Sequence, residues 1–275
     1  MLPSSSSEVT LRSPALGPRV LGLALAGLAA CRSAAPAAPP RAAPAPVATP
    51  ASPAATTAAT TAATRPPSGA IRWSRESAEH RALYLQVYAA ATQHVEQEAA
   101  RRAAGSWAVV LDADETVIDN SLYQLERDRA GLPFDGPSWH AWTKRREALP
   151  QPGARAFLLR VRELGGRIAI VSNRTASECP DTEAVFQKHE LVYDVMLCKP
   201  DAGPSDKNPR FEAVARGTTP AGLPPLEIVA FLGDNIYDFP GLSQELRKQD
   251  DAAFSAFGAR FFALPNPMYG SWERN

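Results

Sequence analysis

Apolar positions recur with a helical period in "SAEHRALYLQVYAAATQHVEQEAARRAAG", which opens at Ser77. Leu83, Val87, Ala91 and Val95 fall four residues apart, and Gly105 supplies a stop. The spacing predicts a helix. Past Gly105 the pattern changes to short runs that are apolar without alternation: "WAVVL" (107–111), "RIAIV" (167–171), "DVMLC" (194–198), "EIVAFL" (227–232) and "RFFAL" (260–264). Between them lie helix-like stretches such as 154–164 and 182–189. Runs apolar at every position suit strands covered on both faces. Strands of that kind alternating with helices predict an α/β fold built on a parallel sheet.

Before residue 71 the pattern is of another kind. Arg12 and Arg19 precede the apolar stretch "VLGLALAGLAA" (20–30). It is shorter than the roughly 20 residues a bilayer span needs, but it suits the central region of an export signal. Cys31 follows in "LAAC", which resembles the bacterial lipobox, where the cysteine is lipidated and becomes the mature N-terminus. Residues 1–31 are therefore expected to be a lipoprotein signal, and Cys31 the membrane anchor. Arg32, not Asp, comes next, and by resemblance to bacterial lipoproteins this points to the outer membrane of the cell envelope. From 32 to 70 the chain is mostly Ala, Pro, Thr and Ser, too poor in large apolar residues to order itself. Such a tether spans roughly 35 Å as a coil. It leaves 71–275 as the folded domain, on the periplasmic side or exposed at the surface.

Charge narrows the partners. With 29 Lys+Arg against 29 Asp+Glu the formal net charge is zero, which gives no support for binding a nucleic-acid polymer. What charge there is gathers behind the apolar runs. After the first run stand Asp112, Asp114, Glu115 and Asp119; after the second, "SNR" (172–174); after the third, a loop rich in Lys and Asp, "KPDAGPSDKNPRF" (199–211); after the fourth, "GDNIYDF" (233–239). Ligands in parallel sheets bind at the carboxyl ends of the strands, so these four segments define one candidate site. Carboxylates packed this closely repel unless something offsets them.

In "DADET", "FDGPSW", "SNR", "DKNPRF", "GDNIYDF" and "LPNPMYGSW" the chain resembles the haloacid dehalogenase superfamily, and more narrowly the class C acid phosphatases, bacterial outer-membrane lipoproteins. The resemblance implies a Rossmann-like sheet of the dehalogenase type with a small helical cap, from about 75–104 and 121–152. It implies hydrolysis of phosphomonoesters, with nucleoside 5′-monophosphates, including nicotinamide mononucleotide, as substrates. Asp112 would be the nucleophile that forms an aspartyl-phosphate. Asp114 would be the acid/base. Mg²⁺ would be held by Asp112, the main-chain carbonyl of Asp114 and Asp234, since two anions must meet. Ser172, Asn173 and Lys207 would bind the phosphoryl oxygens, and Asp238 would fix a metal-bound water or orient the lysine. Lys199 competes with Lys207 for the lysine role; the spacing of "DKNPRF" favours Lys207. The 16 residues of "AVARGTTPAGLPPLEI" make a longer connection to the fourth run than the family pattern leads one to expect.

Trp139 and Tyr269 fall where relatives place rings beside the leaving group; the alternative is that both are core aromatics. Glu115 and Asp119 read as structural. With Cys31 lipidated, Cys179 and Cys198 remain, either as a disulfide or as two buried thiols. His80, His94, His140 and His189 form no spaced metal motif. Two rival readings stay open: a phosphotransferase to an alcohol acceptor, and a surface lipoprotein that binds haem or a nucleotide. The sequence sets no oligomeric state.

Overall fold

The computed structural model describes residues 66–274. The predicted lipobox at Cys31, and the tether up to residue 65, lie outside the described residues. Helices α1 (Gly69–Glu76) and α2 (Ala78–Ala99) lead into strand β1 (Trp107–Leu111). A short antiparallel pair, β2 (Ile118–Asp119) with β3 (Leu149–Pro150), brackets α3 (Ser121–Ala130) and α4 (Gly136–Arg145). Then follow α5 (Ala154–Glu163), β4 (Arg167–Thr175), α6 (Cys179–Lys188), β5 (Val195–Lys199), α7 (Asn208–Arg216), β6 (Glu227–Gly233) and β7 (Phe261–Ala263).

The main sheet has the order β5-β4-β1-β6-β7, and its strands pair in parallel throughout. The fold is α/β, as the apolar runs predict. From β1 the chain winds outward through β4 and β5, then returns to β6 on the other side of β1. That reversal opens a crevice at the carboxyl ends of β1 and β6.

All five residues of β1 are buried, because alternate side chains enter different cores. Trp107, Val109 and Leu111 join α2, α5 and α6 through Tyr88, Val95, Phe157 and Phe186. Ala108 and Val110 join Phe211 and Val214 of α7, with Phe231 and Phe261.

Three local expectations are corrected. Helix α2 buries Tyr84, Tyr88, Ala91 and Val95, whereas Leu83 is 39% exposed. Two tyrosines choose this face: each ring packs inside while its hydroxyl donates to the loop behind β1, Tyr84 to the Glu115 carbonyl at 2.5 Å and Tyr88 to that of Thr116 at 2.8 Å. Helix α2 is accordingly a layer of the core, not part of a cap; the other segment expected in the cap, between β2 and β3 with α3 and α4, sends Tyr123 and Trp142 into that same core. Finally, the stretch behind "DK" is a helix, α7, where the sequence read as a loop. Its length is short and its first turn polar, but Pro209 starts it and Gly217, at φ 70°, ends it.

Candidate active site

Strands β1 and β6 deliver the first carboxylates. The Asp112 amide donates to the Leu232 carbonyl at 3.0 Å, so the two strand ends are locked side by side. Behind β6 the chain passes Asp234 and doubles back in a tight turn at Ile236–Asp238. This return needs Gly233: a Cβ there would lie 2.2 Å from the Cβ of Asp238. Asp238 is fixed by its own turn, its Oδ2 accepting from the Asn235 amide at 2.8 Å. Lys207, the residue that caps α7, then donates its ammonium to Asp112 Oδ1 and Asp238 Oδ1, both at 2.6 Å. Lys207 is the lysine brought to the carboxylates; Lys199 ends β5.

The charges here do not balance. Asp112, Asp234 and Asp238 can each offer an oxygen within 4.8 Å of the others, with one buried lysine among them. Burial pushes the Asp112 carboxyl up to about 7, against the pull of Lys207 and with the push of Asp238 and Asp114. Burial likewise raises Asp234 well above the usual carboxylate range, with Asp238 and Asp112 adding to it. Burial alone would lower Lys207, but Asp112 and Asp238 more than reverse that, and its ammonium is held more firmly than usual. A group of oxygen-only donors with surplus negative charge fits a hard divalent cation. Asn266 and Thr116 turn toward the same group: Asn266 Nδ2 donates to Asp234 Oδ2 at 2.8 Å, and Thr116 Oγ1 lies 3.5 Å from Asp234 Oδ1.

Asp114 faces a different partner. Arg174 grips it through Nε and Nη2 at 3.0 and 2.8 Å, and Asn120 Nδ2 donates to it at 2.8 Å. Neither partner was singled out from sequence. Arg174 stood in plain sight in "SNR", but its match with a carboxylate 60 residues earlier is a fact of folding. Ser172 is wholly buried and its Oγ accepts from the Arg174 amide at 3.1 Å. Asn173 Oδ1 accepts from Arg210 Nη2 at 2.6 Å, which leaves its NH₂ group for other acceptors. Arg210 also donates to the Ser172 carbonyl. It too was missed, although it is the arginine of "DKNPRF".

Glu115 is buried in a left-handed turn at φ 51°, and its carboxylate accepts from the Asn120 amide at 2.8 Å. Burial, then Asp114, Asp234 and Asp119, raises its carboxyl well above the ordinary value. Asp119 Oδ1 accepts from the Ser121 amide at 2.7 Å, a turn that starts α3. Trp139 meets Tyr123 edge to face at 5.1 Å and lies 5.3 Å from the Arg174 guanidinium, so it touches the site through that cation. Tyr269 is half-buried on the C-terminal segment whose Asn266 reaches Asp234. Cys179 and Cys198 form a disulfide that ties the start of α6 to the end of β5. Cys198 pairs in the sheet with Ser172, so the bridge braces the strand that carries the serine. His80 packs between Trp73 and Tyr84, and His94 Nε2 bonds the Val229 carbonyl at 2.9 Å.

A parallel sheet with a buried aspartate behind β1, a serine near the end of β4, a lysine after β5 and two aspartates after β6 has the plan of the haloacid dehalogenase type. Residues 45–272 match the model of that superfamily's subfamily IIIB, the acid phosphatases. The class C acid phosphatase from Bacillus anthracis is 29% identical, with a TM-score of 0.66 over 74% of this chain and 85% of that one. The tungstate-bound crystal structure of that phosphatase is 30% identical, with the same TM-score and coverage. This chain belongs to subfamily IIIB of the haloacid dehalogenase superfamily, among the class C acid phosphatases. It is a phosphomonoesterase, and enzymes of this superfamily generally use a divalent metal.

Proposed function

We propose that the protein is a Mg²⁺-dependent acid phosphatase that hydrolyses nucleoside 5′-monophosphates through an aspartyl-phosphate on Asp112. The observation that carries this reading is the buried Asp112 carboxylate, one oxygen of which is held by Lys207 at 2.6 Å. An oxygen fixed in that way leaves the other to attack phosphorus. Mg²⁺, held by Asp112 and Asp234 with the Asp114 carbonyl, would offset the negative charge of nucleophile and phosphate together.

The remaining work falls to side chains. Lys207, the Ser172 hydroxyl and the Asn173 amide take the phosphoryl oxygens; Arg210 orients Asn173, and Asp238 orients Lys207. Asp114 gives a proton to the departing ester oxygen. In the second half it takes one from the water that opens the aspartyl-phosphate. The tungstate held by the relative is a tetrahedral oxyanion like phosphate, in keeping with this assignment. Trp139 and Tyr269 would stack on the base for about 1–3 kcal/mol each. By the same proposal, residues 1–31 export and anchor the chain through Cys31, and 32–70 tether the phosphatase in the bacterial envelope.

Phosphate release from AMP, nicotinamide mononucleotide, a sugar phosphate and p-nitrophenyl phosphate tests the reading, with Mg²⁺ or EDTA, beside Asp112→Asn. The expected result is turnover of both nucleotides that requires Mg²⁺ and that Asp112→Asn lowers by about 10⁴-fold or more. Turnover of the sugar phosphate alone would remove the nucleotide preference. Full activity in Asp112→Asn would remove the mechanism.

A further inference from the structure

The guanidinium of Arg174 is a cation sealed in the protein, with the residue 2% exposed. A buried cation persists only where acceptors surround it. Its Nε reaches Asp114 Oδ1 at 3.0 Å and Oδ2 at 3.2 Å, and its Nη2 reaches Asp114 Oδ1 at 2.8 Å and Asn120 Oδ1 at 3.0 Å. Its Nη1 donates to Thr182 Oγ1 at 3.1 Å. That hydroxyl has already given its own proton to the Glu178 carbonyl at 2.9 Å, so it can only accept. Asn120 is oriented as well: Trp142 Nε1 donates to its Oδ1 at 2.9 Å, which turns its NH₂ group onto Asp114 Oδ1.

The two oxygens of Asp114 are therefore unequal. Oδ1 accepts from Arg174 Nη2 and Asn120 Nδ2 and takes the shorter branch, at 3.0 Å, of the Arg174 Nε–H; Oδ2 takes the longer branch of that same N–H, at 3.2 Å. Oδ2 is the less engaged oxygen of Asp114. We propose that Arg174 is a positioning residue that, with Asn120, fixes the Asp114 rotamer and reserves Oδ2 as the oxygen that passes the proton to the leaving group. The inference rests on the reading of Asp114 as the acid/base. Lysine cannot replace Arg174 in this role, because a single ammonium cannot hold carboxylate, amide and hydroxyl in one plane.

The test exploits leaving groups. The nucleoside 5′-oxygen leaves as a poor alkoxide and needs the proton; p-nitrophenolate leaves without one. Because kcat/KM covers the steps up to transfer to Asp112, it includes that proton and excludes the later one taken from water. In the full-length protein with Mg²⁺, Arg174→Lys should lower kcat/KM for AMP by about 10²-fold and for p-nitrophenyl phosphate by less than about fivefold. Equal losses for the two substrates would mean that Arg174 supports the fold only, and would overturn the proposal. Should Arg174→Lys fail to fold in a melting experiment, Asn120→Ala decides by the same ratio, with selective loss for AMP supporting the proposal and equal loss ending it. Asp112→Asn and Asp114→Asn are measured alongside. If Asp114→Asn is selective and Arg174→Lys is not, the positioning role alone fails. If Asp112→Asn retains turnover, the underlying mechanism fails first.

Discussion

Two cation clusters in this protein have nearly the same distances and opposite meanings. Lys207 stands 2.6 Å from Asp112 and 2.6 Å from Asp238. Arg145, near the end of α4, stands 2.5 Å from Glu126 and 2.5 Å from Glu147. The side chains of the first trio are at most 9% exposed, those of the second 37% or more. Water screens the second and compensates whatever is lost there. No water compensates the first, so each member of the Lys207 cluster depends on the others. Distance says where charges meet; burial says whether the meeting matters.

The largest effect is expected from removing the buried cation. Lys207→Met keeps the volume but leaves Asp112 and Asp238 without their shared donor. It should cost about 3–5 kcal/mol in urea unfolding of the metal-free protein, and phosphate release should fall by about 10²-fold or more. A stability loss below about 1 kcal/mol would place the buried cluster in the same class as the surface one.

Titration sharpens the contrast. An unfolded aspartate titrates near 3.9, while burial lifts folded Asp112 to about 7. Between those values the folded chain holds a proton that the unfolded chain gives up, so this group favours folding at low pH and that contribution is lost as pH rises toward 7. Asp234 shifts in the same direction. Glu126 shifts in the other: its hydrogen bond from Arg145 holds it below the usual value, so its contribution is present at neutral pH and lost on acidification. In EDTA, the melting temperature should fall between pH 5 and pH 7.5. Added Mg²⁺ should raise it more at pH 7.5, where the carboxylates no longer compete with protons for the ion. Stabilisation by Mg²⁺ that is equal at both pH values would argue against ion binding at these aspartates.

The buried cluster was also the more legible in sequence. Asp112, Ser172 and Asp234 each follow an apolar run, and the parallel-strand pattern alone sends them to one edge. Lys207 needed the spacing of a motif, because α7 begins with "NPR" and gives no apolar signal until Phe211. Arg174, Asn120 and Asn266 were out of reach for a different reason: each is defined by a contact across the fold, and a polar residue in a loop carries no mark of its partner. Helix α2 misled in the ordinary way of amphipathic helices. Leu83 and Tyr84 are neighbours on two adjacent stripes, and the loop behind β1 selects the stripe with hydroxyls. The α3–α4 segment was placed by resemblance, and the Arg145 cluster that ties it together went unread.

The smallest effect is expected at that surface cluster. Arg145→Ala removes both ion pairs, which together should be worth about 1 kcal/mol or less. It also removes a partly exposed cation 4.7 Å from the centre of the buried Trp142 ring, a contact worth about 0.5–1 kcal/mol. Salt separates the two. If the ion pairs carry the loss, it should shrink in 1 M NaCl, where the Debye length is about 3 Å; if the ring carries it, the loss should survive. Activity on AMP should stay within about twofold of the parent enzyme, because Arg145 touches none of the site carboxylates and meets Trp142, whose Nε1 holds Asn120 and through it Asp114, only by its ring face. A larger drop would mean that the α3–α4 segment transmits strain along that chain of contacts, and that the exposed cluster is less insulated from the buried one than their exposures suggest.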